Sequence, residues 1–193
     1  MDDTQIGRLP PALEALEAAT LAAGFTMPSE RQTGALLRTL AASKPGGRIL
    51  ELGTGTGLAT AWLLNGLDAH GHLDSVDSDA HVLAIAQQYL GADARLTLHQ
   101  QDGAIFLTQA AAPYDLIFAD AWPGKYSHLD EALALLNPAG LYVIDDMLPQ
   151  PNWPAGHADH VARLLHDLDQ RSDLAVTRLA WSTGLVMATR VAR

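Results

Sequence analysis

Arg48-Ile49-Leu50-Glu51-Leu52-Gly53-Thr54-Gly55-Thr56-Gly57 is the stretch on which the fold turns. A short apolar run leads into three glycines spaced by one residue, and a helix-like pattern from Leu58 to Leu67 follows. That order reads as strand, tight turn, helix. Glycine admits positive φ and lets a ligand approach the main chain with no Cβ in the way, so a nucleotide-like ligand can rest on the turn and the helix N-terminus. Gly53, Thr54, Gly55 and Gly57 are therefore the first candidate binding residues. The competing reading is a purely structural turn, for which three close glycines cost backbone entropy with no evident packing gain.

Outward from this stretch, strand and helix patterns alternate with short connections, the signature of a doubly wound α/β sheet. Strands are predicted at Ile49–Leu52, His72–Val76, Arg95–His99, Asp115–Ala119 and Gly140–Ile144, and helices at Leu58–Leu67, Ala80–Leu90, Ala104–Ala111, Leu129–Leu136 and Ala158–Asp169. The tail departs from alternation. Leu174–Trp181 and Leu185–Arg190 are strand-like and joined only by Ser182-Thr183-Gly184, a connection that a hairpin alone can satisfy. The expected fold is a seven-stranded, mostly parallel sheet with an antiparallel C-terminal hairpin strand, a Rossmann-like arrangement in one domain over 1–193. Before it, two helices are expected within 1–45, one ending at Gly24 and one capped by Ser29, as a cover for the sheet or a lid over the ligand.

The ligand class follows from the neighbours of the glycines. The dinucleotide pattern Gly-x-Gly-x-x-Gly/Ala fails in both registers, because Leu58 and Thr60 stand where the last glycine belongs. Glu51 lies two residues before Gly53, where a carboxylate would repel phosphates but attract an ammonium or a sulfonium. Ligands of such sheets lie at the carboxyl ends of the strands. There the sequence places Asp77, able to accept two ribose hydroxyls, then Asp102 with Gly103, Asp120 with Trp122, and Asp145-Asp146. Each alone could simply cap the next helix; four acidic strand ends together suggest a pocket that tolerates a cation.

Leu-Glu-Leu-Gly-Thr-Gly-Thr-Gly resembles the first motif of the class I S-adenosylmethionine (SAM) dependent methyltransferases. From about Met27 onward the chain is similar to the catechol and caffeoyl-CoA type O-methyltransferases, with Leu116 to Trp122 plus Tyr126 matching the fourth-strand motif and Asp145-Asp146 the fifth. The resemblance implies a Rossmann-like methyltransferase fold, SAM as cofactor and transfer of its methyl group to a small-molecule acceptor, through a hydroxyl oxygen. It places Met27 beside the transferred methyl, Trp122 against the adenine, Asp102 at the adenine edge and Asp120 at the cofactor's amine. Asp120, Asp145 and Asp146 would hold Mg²⁺ or another divalent cation. The sequence departs from the pattern at Asp146, where the family has Asn, and at Pro123, where it has a lysine base; Lys125 is the nearby candidate for that catalytic role. Alternatives left open are a metal-independent enzyme acting on another nucleophile, a polyamine-synthase-like transferase, whose extra N-terminal β domain has no counterpart here, and a non-catalytic SAM-binding domain.

Two further features invite a functional reading. The proline-rich stretch 147–154 could wall a substrate site with Trp153 as a stacking face or be a loop anchored by that residue, and His157 with His160 could pair on a metal or share a solvated helix face. A formal charge of −10 with only 12 Lys and Arg disfavours nucleic acid as a partner and favours small molecules. No apolar run suits a membrane span, no signal-peptide pattern opens the chain and no cysteine is present, so a cytoplasmic protein is expected. The N-terminal helices could also pair two subunits in a homodimer.

Overall fold

The computed structural model describes residues 2–191. Its elements in chain order are α1 (Leu13–Ala22), α2 (Arg31–Ala42), β1 (Arg48–Leu52), α3 (Leu58–Gly66), β2 (His72–Asp77), α4 (Ala80–Leu90), β3 (Leu96–Gln100), α5 (Gly103–Gln109), β4 (Tyr114–Ala119), α6 (Leu129–Ala134), β5 (Leu136–Ile144), α7 (His157–Asp169), β6 (Leu174–Leu179) and β7 (Leu185–Arg190). The strands form one seven-stranded sheet in the order β3-β2-β1-β4-β5-β7-β6. β1 to β5 pair in parallel, and β7 slots between β5 and β6, antiparallel to both. This is the expected mixed α/β sheet, with β7 as its single reversed strand.

The central strands are buried on both faces, which is why they read as continuous apolar runs. In β4, Leu116 and Phe118 pack toward α1, α2 and α3, while Ile117 and Ala119 face the core shared with α5, α6 and α7. β5 divides in the same way, with Val143 on the first side and Tyr142 and Ile144 on the second. Trp62 of α3 is fully buried at the centre of the first core. Gly34 of α2 lies flat against it, so close that a Cβ there would stand 2.2 Å from the indole Cδ1.

Several boundaries differ from expectation. α2 begins one residue later than a Ser29 cap requires: Glu30 is the N-cap, with no side-chain cap bond, and Ser29 donates to Asp120 Oδ2 at 3.3 Å. α6 ends at Ala134, and β5 starts at Leu136, four residues before Gly140. The reason is an irregular start: Ala139 takes a positive φ of 59° and the register with β4 shifts between Tyr114 and Leu116, which Pro138 and Gly140 disguise in the sequence as a loop. β6 stops at Leu179, short of Trp181. Among the described residues no helix is long and apolar enough to cross a membrane.

Candidate active site

The turn after β1 is held from both sides. Gly53 and Thr54 donate their N–H groups to the Val76 carbonyl of β2, and Asp120 donates its own to the Leu52 carbonyl. Gly53 has φ +100°, and a Cβ there would lie 2.6 Å from the Asp120 carbonyl oxygen. Only glycine allows the end of β4 to close over the turn. The Gly55 N–H donates to Asp77 Oδ2 at 2.8 Å, fixing the carboxylate at the end of β2 against the turn. Gly57 serves a different purpose: it opens α3, and a Cβ on it would press on Ala86 and Leu90 of α4, so it faces that helix and is absent from the cavity wall.

Above the turn lies a cavity of about 360 Å³. Gly53, Thr54 and Gly55 line it together with Asp77, Asp120, Met27, Trp122, Lys125, Tyr126 and Asp146. Phe25, Pro28 and Ser29, from the connection between α1 and α2, also line it, while α1 and α2 themselves pack on α3. Asp102 and Gly103 are set apart from this space. They line a smaller hollow of about 110 Å³ that shares Gly53, Asp77 and Ala121 with it. Asp102 Oδ1 caps α5 by accepting the N–H groups of Ala104 and Ile105, the structural use that an acidic strand end always leaves open.

Glu51 is not on the cavity wall. Residues of a strand alternate in face, so Glu51 shares the side of Ile49 and points beneath α3. It is fully buried, its Oε2 accepts the hydroxyls of Thr60 and Ser75 at 2.5 Å each, and Oε1 has no partner. Burial pushes its carboxyl up to about 7, the two hydroxyls pull it back, and the nearby Asp77 charge adds to the rise. Its place before Gly53 suggested a direct contact with a ligand cation, but the side chain is enclosed away from the cavity, and its hydroxyl bonds brace α3 and β2 behind the turn.

The three aspartates at the ends of β4 and β5 sit near one another but point differently. Asp120 and Asp146 line the cavity. Asp145 is buried, and its Oδ1 accepts the Thr183 hydroxyl at 2.5 Å and the Asp146 N–H at 2.8 Å. Asp146 is held with a positive φ of 59°. Burial raises the Asp145 carboxyl to about 6 and holds that of Asp120 well above its ordinary range, with the Asp145 charge adding to the Asp120 rise and Lys125 opposing it. The expected divalent-cation site is not supported by this donor geometry: among the described residues, no three His, Cys, Asp or Glu side chains converge as a metal would need. Instead Lys125 Nζ stands 3.8 Å from Asp120 Oδ1, and the lysine is only 6% exposed, far from a solvated loop residue.

The outer wall is aromatic. Trp122, half-exposed at the mouth, meets the Tyr126 ring edge-on at 4.8 Å. The Tyr126 hydroxyl lies 3.0 Å from His157 Nε2. Burial lifts the Tyr126 phenol to about 12 and also lowers His157, and the imidazole tautomer sets which of the two donates in that bond. That bond disposes of the His157–His160 metal pair, since His160 turns to Arg163 and the Trp122 ring. Trp153 meets the His157 ring at a tilt, centroids 4.5 Å apart, and packs against the core, so it supports the wall without lining the cavity. Phe25 and Ser29 are cavity residues that the sequence did not single out for ligand binding, and His157 reaches the cavity outside the metal pair the sequence offered for it; they come from loops or helix starts whose positions only the packed chain defines.

Comparison with known proteins agrees with this geometry. A family model described as a methyltransferase domain matches residues 50–147, half of the chain. A Mycobacterium avium (strain 104) protein with a provisional O-methyltransferase name is 31% identical over 133 residues, 66% of this chain and 59% of that protein. A Mycolicibacterium vanbaalenii relative with the same provisional name is 33% identical over an equal span, so the chain covers less than two thirds of the length of these relatives. Among solved structures, a Klebsiella pneumoniae protein, also provisionally named an O-methyltransferase, superposes with a TM-score of 0.84 at 26% identity, covering 98% of this chain and 93% of that one. The O-methyltransferase TomG from Streptomyces achromogenes, solved in complex with SAM, shares the fold with a TM-score of 0.85 at 24% identity over 98% of this chain and 94% of its own. With the glycine turn, the mixed sheet and the acid-ended strands all in place, the chain belongs to the methyltransferase-domain family.

Proposed function

We propose that the protein transfers a methyl group from SAM to a hydroxyl oxygen of a small molecule. The observation that carries this reading is the convergence of Gly53-Thr54-Gly55, Asp77 and Asp120 on one cavity at the carboxyl edge of the sheet. The residues fit the cofactor. The Asp77 carboxylate, anchored by the N–H groups of Gly55 and Asp79, is presented to accept ribose hydroxyls. The smaller hollow beside Asp102, Gly103 and Pro123 suits the adenine, with Trp122 at its approach. Asp120 and Asp146 supply negative charge for the ammonium end, and the 65% exposed Met27 overhangs the cavity beside the reacting region.

When bound, SAM supplies a methyl carbon activated by its sulfonium. The chain's own task is to hold an acceptor oxygen in line with that carbon, and positioning of this kind contributes more than covalent catalysis. The Tyr126 ring orients the acceptor, and Phe25, Met27, Pro28 and Ser29 line the same space. Calorimetry with S-adenosylhomocysteine, followed by a methyl-transfer assay on a panel of hydroxylated small molecules, tests this. Binding in the micromolar range with product carrying one added methyl is expected; uptake of NAD(H) with no response to S-adenosylhomocysteine would refute it.

A further inference from the structure

We infer that the ammonium of Lys125 fills the role of a divalent cation at the acidic end of this site, and that the acceptor is accordingly a single acidic hydroxyl on an aromatic ring, a phenol, in preference to a vicinal diol. The inference rests on the methyl-transfer reading above.

The placement of Lys125 is built into the fold. The loop 122–127 winds on itself: the N–H groups of Lys125, Tyr126 and Ser127 all donate to the Trp122 carbonyl, and that of Gly124 to the Ser127 carbonyl. The buried Tyr142 hydroxyl clamps the loop from below by donating to the Gly124 carbonyl at 2.6 Å. Gly124 has φ +88°, and a Cβ on it would stand 2.5 Å from Leu52 Cδ1, so the loop can lie this deep only with glycine at that position. The result is a lysine whose chain is enclosed and whose Nζ reaches the cavity between Asp120, at 3.8 Å, and the Tyr126 ring, at 5.7 Å from its centroid. A buried ammonium needs an acid beside it, and the enclosed Asp120 carboxyl, 3.8 Å away, needs a cation. Each supplies the other.

The same geometry disfavours a metal. Asp145 has already committed Oδ1 to Thr183 and to the Asp146 N–H, and it is absent from the cavity wall. The remaining pair, Asp120 and Asp146, lacks a third protein donor among the described residues. The chemical consequence concerns the acceptor. A hard divalent ion has several coordination positions and can grip two adjacent oxygens at once. An ammonium is a compact point charge that anchors one oxygen. Beside Lys125 a lone phenol hydroxyl releases its proton to water; its oxygen pair forms the new O–C bond while the C–S pair remains on sulfur. The Tyr126 ring, whose centroid lies 5.7 Å from Lys125 Nζ, gives the phenol ring an aromatic neighbour on the cavity wall.

The test uses the full chain. Mn²⁺ is titrated by calorimetry into the wild type and into Lys125→Met, and turnover of monohydroxy and vicinal dihydroxy aromatics is measured with and without EDTA. Neither the wild type nor Lys125→Met is expected to bind Mn²⁺, because the acids present no third donor with or without the lysine. Monophenols should be methylated at a rate EDTA leaves unchanged. Lys125→Met should lose about 10²–10³-fold in kcat, as for removal of one stabiliser of a developing oxyanion, with S-adenosylhomocysteine affinity retained and partial rescue by Lys125→Arg. Mn²⁺ binding by the wild type, turnover abolished by EDTA, or methylation confined to vicinal diols would overturn the inference. If no acceptor is turned over, the methyl-transfer reading fails, while the wild-type Mn²⁺ titration still decides the role of Lys125 even if the variant does not fold.

Discussion

Replacing Glu51 with Gln should flatten the pH dependence of stability between about pH 4.5 and 8. Glu51 is fully enclosed, and burial raises its carboxyl from 4.5 to about 7. The sign follows from linkage: a carboxyl whose folded pKa is raised binds its proton more tightly in the folded state, so folding is favoured below the unfolded value and loses stability as pH rises through the folded value. The rise from 4.5 to about 7 corresponds to roughly 3 kcal/mol, fully expressed above about pH 8. For a chain of this size that amounts to about 6–12 °C in Tm. Gln keeps an oxygen to accept the Thr60 and Ser75 hydroxyls but cannot ionise. The assay is thermal unfolding of wild type and variant across pH 4 to 9, compared as a difference so that other titrating groups cancel. His157, lowered by burial, gains stability for the fold as pH rises past its own folded value and would mask part of the wild-type slope if that slope were read alone. Parallel Tm profiles for the two proteins would refute the placement of Glu51 in a dry site.

Two other substitutions probe the turn itself. Gly53→Ala drives a Cβ to within 2.6 Å of the Asp120 carbonyl at a φ of +100°, so it should cost several kcal/mol by thermal or denaturant unfolding, beyond the roughly 1–2 kcal/mol of left-handed strain alone; a change below 1 kcal/mol would contradict the crossing of β4 over the turn. Asp77→Asn removes the charge that holds the Gly55 N–H and faces the cavity, and should weaken S-adenosylhomocysteine binding about 10-fold or more in calorimetry while moving Tm little; unchanged affinity would remove Asp77 from the ribose contact.

What the sequence determined by itself is what local rules determine. The apolar run of Ile49 to Leu52 followed by Gly53 and Gly55 announced a strand and an open turn, because only glycine serves there. The three-residue connection before Leu185 announced a reversed strand, because no crossover is that short. Strand-end acids were legible for the same reason, since topology puts the carboxyl ends of parallel strands on one edge. The tertiary structure alone decided which of these acids face the cavity. Glu51 stands two residues from Gly53 yet looks the other way, because strand faces alternate and α3 covers that face. Asp102 turned back to cap α5, and Asp145 to Thr183, a partner 38 residues away. Lys125 read only as a candidate base near the expected position, and its burial beside Asp120 arises because Tyr142, 17 positions later, and Leu52, from another strand, draw its loop into the sheet edge. Spacing along a chain fixes backbone geometry over a few residues, but the direction and charge of a side chain depend on partners brought from distant segments, and those exist only once the core has packed.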